Sequence, residues 1–319
     1  MNASVQKIEF STSLFSVILG TSGLGYAWRN AAHLWHFSEW IGNCLLISAV
    51  AVWAILIAIL LRQLIKNRDR LRQEFLSPIA GSMPALVGIA TLVLVPAANI
   101  FSRDAAWVLA GLGLSWHMVF AIWHGGTLWK GGRSPHHASP ALYLPSVAGN
   151  FTAAAALGTL GYVEWAYLFL GAGVFSWLAI ESVVMSNGWQ TGLPEEHRSL
   201  MGIQAAPPLV CAVSMLTLMP AGASKIPLML WGYGLFQLAI GLRLHGWLKG
   251  QKFSPSYWAY TFGMTSALNC ALKFAAAGVT PGETLALPLL IAVTMFVALL
   301  MIRSIAFFVN GSDLARCAS

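Results

Sequence analysis

The chain has 319 residues, of which 57% are hydrophobic and only 9% charged, with a formal net charge of +7 and a mean hydropathy of +0.70. Charged residues alone approach a quarter of a soluble domain, so a soluble globular fold is excluded, as are disordered, collagen-like and nucleic-acid-binding classes. What remains is an integral membrane protein, in which basic residues report topology before they report partners.

A membrane helix needs about 20 mostly apolar residues. Cutting the apolar runs at Lys, Arg, Pro-Gly and acidic clusters predicts ten spans in chain order: 11–31, 39–62, 78–99, 105–128, 140–160, 165–186, 199–219, 226–247, 255–275 and 284–308. The first reads as a true helix rather than a signal peptide, because the preceding MNASVQKIEF carries one lysine and an acid and no cleavage site follows. The runs are continuous in Leu, Ala and Ile, which excludes the alternating pattern of a membrane β-barrel. Lys and Arg fall 14 on the side of the N-terminus and 4 (Arg29, Arg103, Lys225 and Lys273) on the other. Both termini, 1–10 and 309–319, are therefore expected in the cytoplasm. Loops are short, so residues 1–319 form one all-α transmembrane domain.

The odd-numbered spans begin near residues 11, 78, 140, 199 and 255, a step of about 60 residues that holds one up-down hairpin each time. Five such hairpins share one orientation, unlike inverted transporter repeats, and can close into a ring around a central pore. Proline and glycine point to the odd set as the inner one. Pro78, Gly81, Pro84 and Gly88 lie in the third span, Pro145, Gly149 and Asn150 in the fifth, Gly202, Pro207 and Pro208 in the seventh, and Gly263 in the ninth. The first has Gly20, Gly23 and Gly25. Carbonyls freed by proline are tolerated only against protein or water. Against this, Pro and Gly are frequent in all membrane helices, and the even spans have Gly pairs such as Gly111 and Gly113 that suit close backbone packing.

No Walker loop, HExxH, Ser-His-Asp cluster or CxxCH is present, so neither catalysis nor a cofactor or metal is expected. His117 and His124 share a helix face but lack a second ligand-bearing helix and read as interhelical hydrogen-bonding groups; His136 and His137 read as a solvated loop pair. Cys44, Cys211, Cys270 and Cys317 have no metal or CxxC spacing, and the first three read as buried free thiols. Glu181 in the sixth span is the only acid near the middle of an apolar run, a candidate titrating group whose competing reading is an interhelical hydrogen bond. The odd spans hold no mid-membrane charge. A pore that they line has neither an acidic ring for cations nor an arginine clamp for multivalent anions.

The segments Tyr143-Leu-Pro-Ser-Val-Ala-Gly-Asn-Phe151, Tyr167 to Leu178, Gly202-Ile-Gln-Ala-Ala-Pro-Pro208, Leu230 to Gln237 and Trp258-Ala-Tyr-Thr-Phe-Gly-Met264 resemble the bacterial TehA proteins of the tellurite-resistance/dicarboxylate transporter family, from Phe15 to about Arg303. The resemblance implies ten helices in five hairpins around a pore, a homotrimer in the bacterial inner membrane, and kinship with slow-type anion channels of plants. It also implies a pore-plugging phenylalanine on the ninth helix, here Phe262, followed by Gly263. Two departures stand out: Ser16 follows Phe15 where glycine is usual, and Gly88 stands where the third helix usually has proline, with Pro84 one turn earlier. The pore-lining or hinge candidates are thus Phe15, Gly20, Pro84, Gly88, Pro145, Pro207 and Gly263.

The expected function is a gated passive channel for small monovalent anions, with the lipid bilayer and further copies of the chain as its partners and no nucleic acid. A proton-coupled exporter of tellurite or C4-dicarboxylates is the rival, and needs a titrating site for which Glu181 is the resident. A membrane subunit for a soluble partner finds support only in the Arg-rich stretch 62–72.

Overall fold

The computed structural model describes residues 10–132, 134, 137–220, 224–248 and 253–316, the side chains of 196 and 310–316 excepted. Lys7, Arg133, His136, Lys249, Lys252 and Cys317 lie outside the described residues, as does the side chain of Arg316. Among the described residues every regular element is helical. Six stretches are long and apolar enough to cross a membrane: Trp40–Lys66, Ala80–Phe101, Arg103–Trp129, Val163–Thr191, His197–Leu218 and Thr280–Val309.

Burial divides these six into two kinds. In Ala80–Phe101 and His197–Leu218, 67% and 83% of the most apolar window is buried within the protein; in the other four the share is 22–28%. The exposed kind are long uninterrupted helices: α2 (Trp40–Lys66), α6 (Arg103–Trp129), α8 (Val163–Thr191) and α14 (Thr280–Arg316). Their outer faces carry Ile47, Ile55, Val119, Phe175, Met295 and Ile302, each more than half exposed. A soluble protein would bury such a face, whereas hydrocarbon solvates it at no cost. Trp40 and Trp165 at the starts of α2 and α8, and Trp129 and Trp189 at the ends of α6 and α8, are also exposed, the placement of tryptophan at membrane–water boundaries.

The buried kind are broken where the sequence demands it. Proline cannot donate to the preceding turn, and α4 (Ala85–Val93) gives way to α5 (Val95–Phe101) just before Pro96. Pro145 lies in a π-helical turn, Leu144–Ala148, that leads into α7 (Gly149–Thr159). Helix α9 (Met201–Gln204) stops at Ala205 before α10 (Ala206–Leu218), whose first turn holds Pro207 and Pro208. By contrast α1 (Ser16–Trp35) and α13 (Ala259–Ala276) continue without a break through Gly20 and Gly263. Two of the hinge candidates lie within unbroken helix. Gly88 lies inside intact α4, because glycine there retains its amide donor, and the break falls at Leu94 before Pro96. Gly263 likewise does not interrupt α13; it faces Ala205 and Ala206, at a distance that would also admit a Cβ.

Packing follows these breaks. Helix α1 lies against α13 and α4, α4 against α7, α7 against α10 and α10 against α13, so the contacts run round a closed circuit. Helix α2 packs on α1, α6 on α4, α8 on α7, α11 (Ile226–Arg243) on α10 and α14 on α13. The α1–α13 contact is a close one: a Cβ at Gly20 or Gly23 would overlap the side chains of Thr261 or Thr265. The Arg-rich stretch expected as a loop is instead helical, α3 (Arg68–Leu76), with Leu71 buried beneath it. Its Glu74 carboxylate accepts hydrogen bonds from the Thr12 amide at 2.9 Å and from the Ser11 and Thr12 hydroxyls at 2.8 Å each. It thereby caps donors that the start of the first helical segment leaves unpaired.

Candidate functional site

Two chambers lie inside the circuit, and they share three lining side chains: Leu19 of α1, Val210 of α10 and Phe262 of α13. One chamber, of about 50 Å³, is walled mainly by apolar groups, including Met83, Leu86, Leu144, Ile203 and Pro207, with Ser13, Ser16 and Ser256 at its edge. The other, of about 220 Å³, is lined by Asn30, Thr159, Thr217, Asn269 and Lys273 among others, and has room for several waters or a hydrated small ion. No carboxylate lines either chamber among the described residues.

Phe262 is aimed between the chambers because its helix face is fixed from behind. Thr261 and Thr265 are buried against Gly20 and Gly23. Their hydroxyls are spent on the backbone of α13 itself, on the Trp258 and Phe262 carbonyls. Phe262 is only half-buried, with its ring toward the lumen. Residues 262, 266, 269 and 273 all line the second chamber, as one face of a helix with 3.6 residues per turn.

The remaining candidates separate. Pro207 lines the first chamber. Phe15 does not: it is fully buried in the helix-packing core, and the neighbouring Ser16 faces the lumen instead. Gly20 and Gly88 serve helix contacts, Gly88 against Trp116 and His117, while Gly23 is the α1 glycine that lines a chamber. Pro84 stands at the N-cap of α4, and its carbonyl accepts from the Trp116 indole at 2.9 Å.

His117 Nε2 pairs with Asn150 Oδ1 at 3.1 Å and His124 Nε2 with the Ser82 hydroxyl at 3.3 Å, joining α6 to the inner segments. No group of three potential metal ligands occurs among the described residues. His137, expected as solvated, is half-buried, with its Nδ1 shielded. Cys211 and Cys270 are buried, but Cys44 is exposed on α2, because an apolar run in lipid need not face protein.

Glu181 lies outside both chambers. Its Oε2 accepts from the Tyr143 hydroxyl at 2.6 Å and the Trp177 indole at 2.9 Å. Its Oε1 accepts from the Tyr233 hydroxyl at 2.9 Å and the Gln204 amide at 3.1 Å. Tyr143 itself lines the first chamber, so Glu181 is one hydrogen bond from the lumen.

Inner helical segments that enclose two chambers, with Leu19, Val210 and Phe262 lining both, give a helical membrane protein with an internal cavity system along its centre. Residues 9–305 match the voltage-dependent anion channel (SLAC1) family, and the chain belongs to that family. It is 32% identical over 278 residues to a protein named tellurite resistance protein TehA homolog from Haemophilus influenzae, covering 86% of this chain and 84% of the relative. It is also 26% identical to the S-type anion channel SLAH3 of Arabidopsis thaliana, across 84% of this chain but 43% of the plant protein.

Leu19, Val210 and Lys273 carry no sequence signal of their own. A leucine or valine in an apolar helix looks the same whether it faces lumen or neighbour, and Lys273 reads first as a topological charge. The helical stripe through Phe262 was the one available clue.

Proposed function

We propose that this protein is a gated, passive channel for small monovalent anions in the bacterial inner membrane. In this reading the whole chain is one domain of ten membrane helices, arranged as five like-oriented hairpins with both termini in the cytoplasm and assembled as a homotrimer. The helices α1, α4–α5, α7, α9–α10 and α13 line the pore, and Phe262 closes it with Leu19 and Val210. The observation that carries the reading is that Leu19, Val210 and Phe262 line both chambers, which supports a hydrocarbon neck between them, and a narrow neck of that kind dewets and blocks ions with a single ring. The names of the Arabidopsis relatives, which are anion channels, support the substrate class.

The test is Phe262→Ala, which removes a ring from the neck while α13 remains helical through Gly263. Whole-cell anion current should rise strongly over the parent protein. Unchanged current in a variant present in the membrane at normal level removes Phe262 from the gate.

The exporter reading keeps one observation: Glu181 touches the lumen through Tyr143. Proton-coupled transport requires that carboxylate to bind and release a proton in each cycle, which would turn one of its accepting oxygens into a donor facing other donors. Passive flux that is linear in voltage and insensitive to the proton gradient distinguishes the channel from it.

A further inference from the structure

We infer that Lys273 and Asn30 form a monovalent-anion site in the second chamber, one that loads the pore at its outer mouth. The inference rests on the channel reading and adds a ligand subsite to it. Lys273 is half-buried at the chamber wall, eleven residues beyond Phe262 on the same face of α13. At 1.5 Å per residue the two are about 16 Å apart along the helix axis.

The ammonium has little within the protein to offset its loss of water. Its hydrogen bond is a long one, 3.5 Å to the Leu216 carbonyl, and no ion pair to a carboxylate reaches it among the described residues. Of the other basic groups on this side, Arg29 is by contrast paired with Glu39 and Asn43, and Arg29, Arg103 and Lys225 line neither chamber. A partly desolvated cation without an anion is costly, and a small anion entering the chamber removes part of that cost.

The surrounding donors select the same ligand. The amide of Asn269 is spent on the Gly23 and Thr265 carbonyls, and its oxygen accepts from Asn30 at 2.9 Å. The Thr159 and Thr217 hydroxyls donate to carbonyls one turn back on their own helices, and the Tyr26 hydroxyl donates to Val93. The donors that remain at the chamber are the Lys273 ammonium, the second amide hydrogen of Asn30 and the Ser266 hydroxyl. One positive charge with two neutral donors suits a halide or nitrate. It cannot neutralise a divalent ion.

The site lies far from the neck, so it governs how often an anion waits in the chamber, whereas the neck governs which anion passes. The experiment has two arms on the full-length protein. In the first, external chloride is varied at constant ionic strength on Phe262→Ala, with Lys273→Gln or Lys273→Arg added. The half-saturating chloride concentration should rise about tenfold for Gln, the worth of one charge-assisted hydrogen bond, and stay near the parent value for Arg. In the second, iodide added to purified protein in detergent should raise the thermal midpoint of the parent and of Lys273→Arg more than that of Lys273→Gln. Equal half-saturation for Gln and parent, or equal shifts for Gln and Arg, overturns the site. If Phe262→Ala itself carries no current, the channel reading fails alone, and the iodide arm still decides whether the anion site exists.

Discussion

Glu181 collects donors from segments far apart in sequence, Tyr143, Gln204 and Tyr233, besides Trp177 on its own helix. Both oxygens are acceptors, so Glu181→Gln is less innocent than its shape suggests: an amide NH₂ would face two donors whichever way it turned. The variant should lose about 1–3 kcal/mol of stability, the cost of leaving buried donors unmet, while anion current per channel in the membrane stays largely intact. Thermal unfolding and current recorded on the same preparations check both halves. Loss of all flux in a normally folded variant would instead revive proton coupling. The sequence exposed Glu181 as an oddity, an acid in an apolar run, but its partners were hidden, because tyrosines and glutamines scattered over 90 residues acquire a common address only when helices pack.

At the scale of the element, the approach of α1 to α13 positions the neck. Gly20 meets Thr261, directly beside Phe262, whereas Gly25 meets Leu46 on α2, away from both chambers. Gly20→Val and Gly25→Val both overpack a helix contact and should each cost about 1–3 kcal/mol. Only Gly20→Val should change the current of a protein that retains Phe262, because it moves the helix that carries the ring. Matched denaturation and current measurements on the pair test this, and equal currents would show that the neck does not depend on the α1–α13 distance. Elements of this kind are legible in part. Apolar run lengths locate the long outer helices, and proline marks the segments that break, but Gly88, a hinge candidate in the sequence, says nothing of the break before Pro96, since glycine permits a kink without forcing it. The helix α3 was missed because its apolar contribution, chiefly Leu71, is too small to show as periodicity in an Arg-rich stretch.

Across the whole molecule, the charge asymmetry makes a geometric demand. Cysteines introduced near Arg70 and Ser254 should react with an impermeant thiol reagent only from the cytoplasm, and one near Glu164 only from outside. The background needs Cys44→Ser, since Cys44 is exposed. Reaction of both sets from the same side would break the ten-span arrangement.

The same asymmetry bears on which anion crosses. The basic groups of α2 and α3 between Arg62 and Arg72 gather anions at one end and Lys273 holds them at the other, but neither touches the neck. Attraction by the exposed groups fades as salt rises, with a screening length of about 10 Å at 0.1 M. At the neck itself Leu19, Val210 and Phe262 offer only hydrocarbon, so an ion must surrender water with almost nothing in return. The dehydration cost then sets the order. Large, weakly hydrated iodide and nitrate should pass more readily than chloride, and divalent sulfate or tellurite should pass poorly, because solvation cost climbs steeply with charge. Lys273→Gln should lower the flux of every monovalent anion at low external concentration without reordering them. Reversal potentials in iodide, nitrate, chloride and sulfate on Phe262→Ala, with and without Lys273→Gln, test both statements. A series led by chloride would place a binding site inside the neck, and a series reordered by Lys273→Gln would place the selecting step at the outer chamber instead.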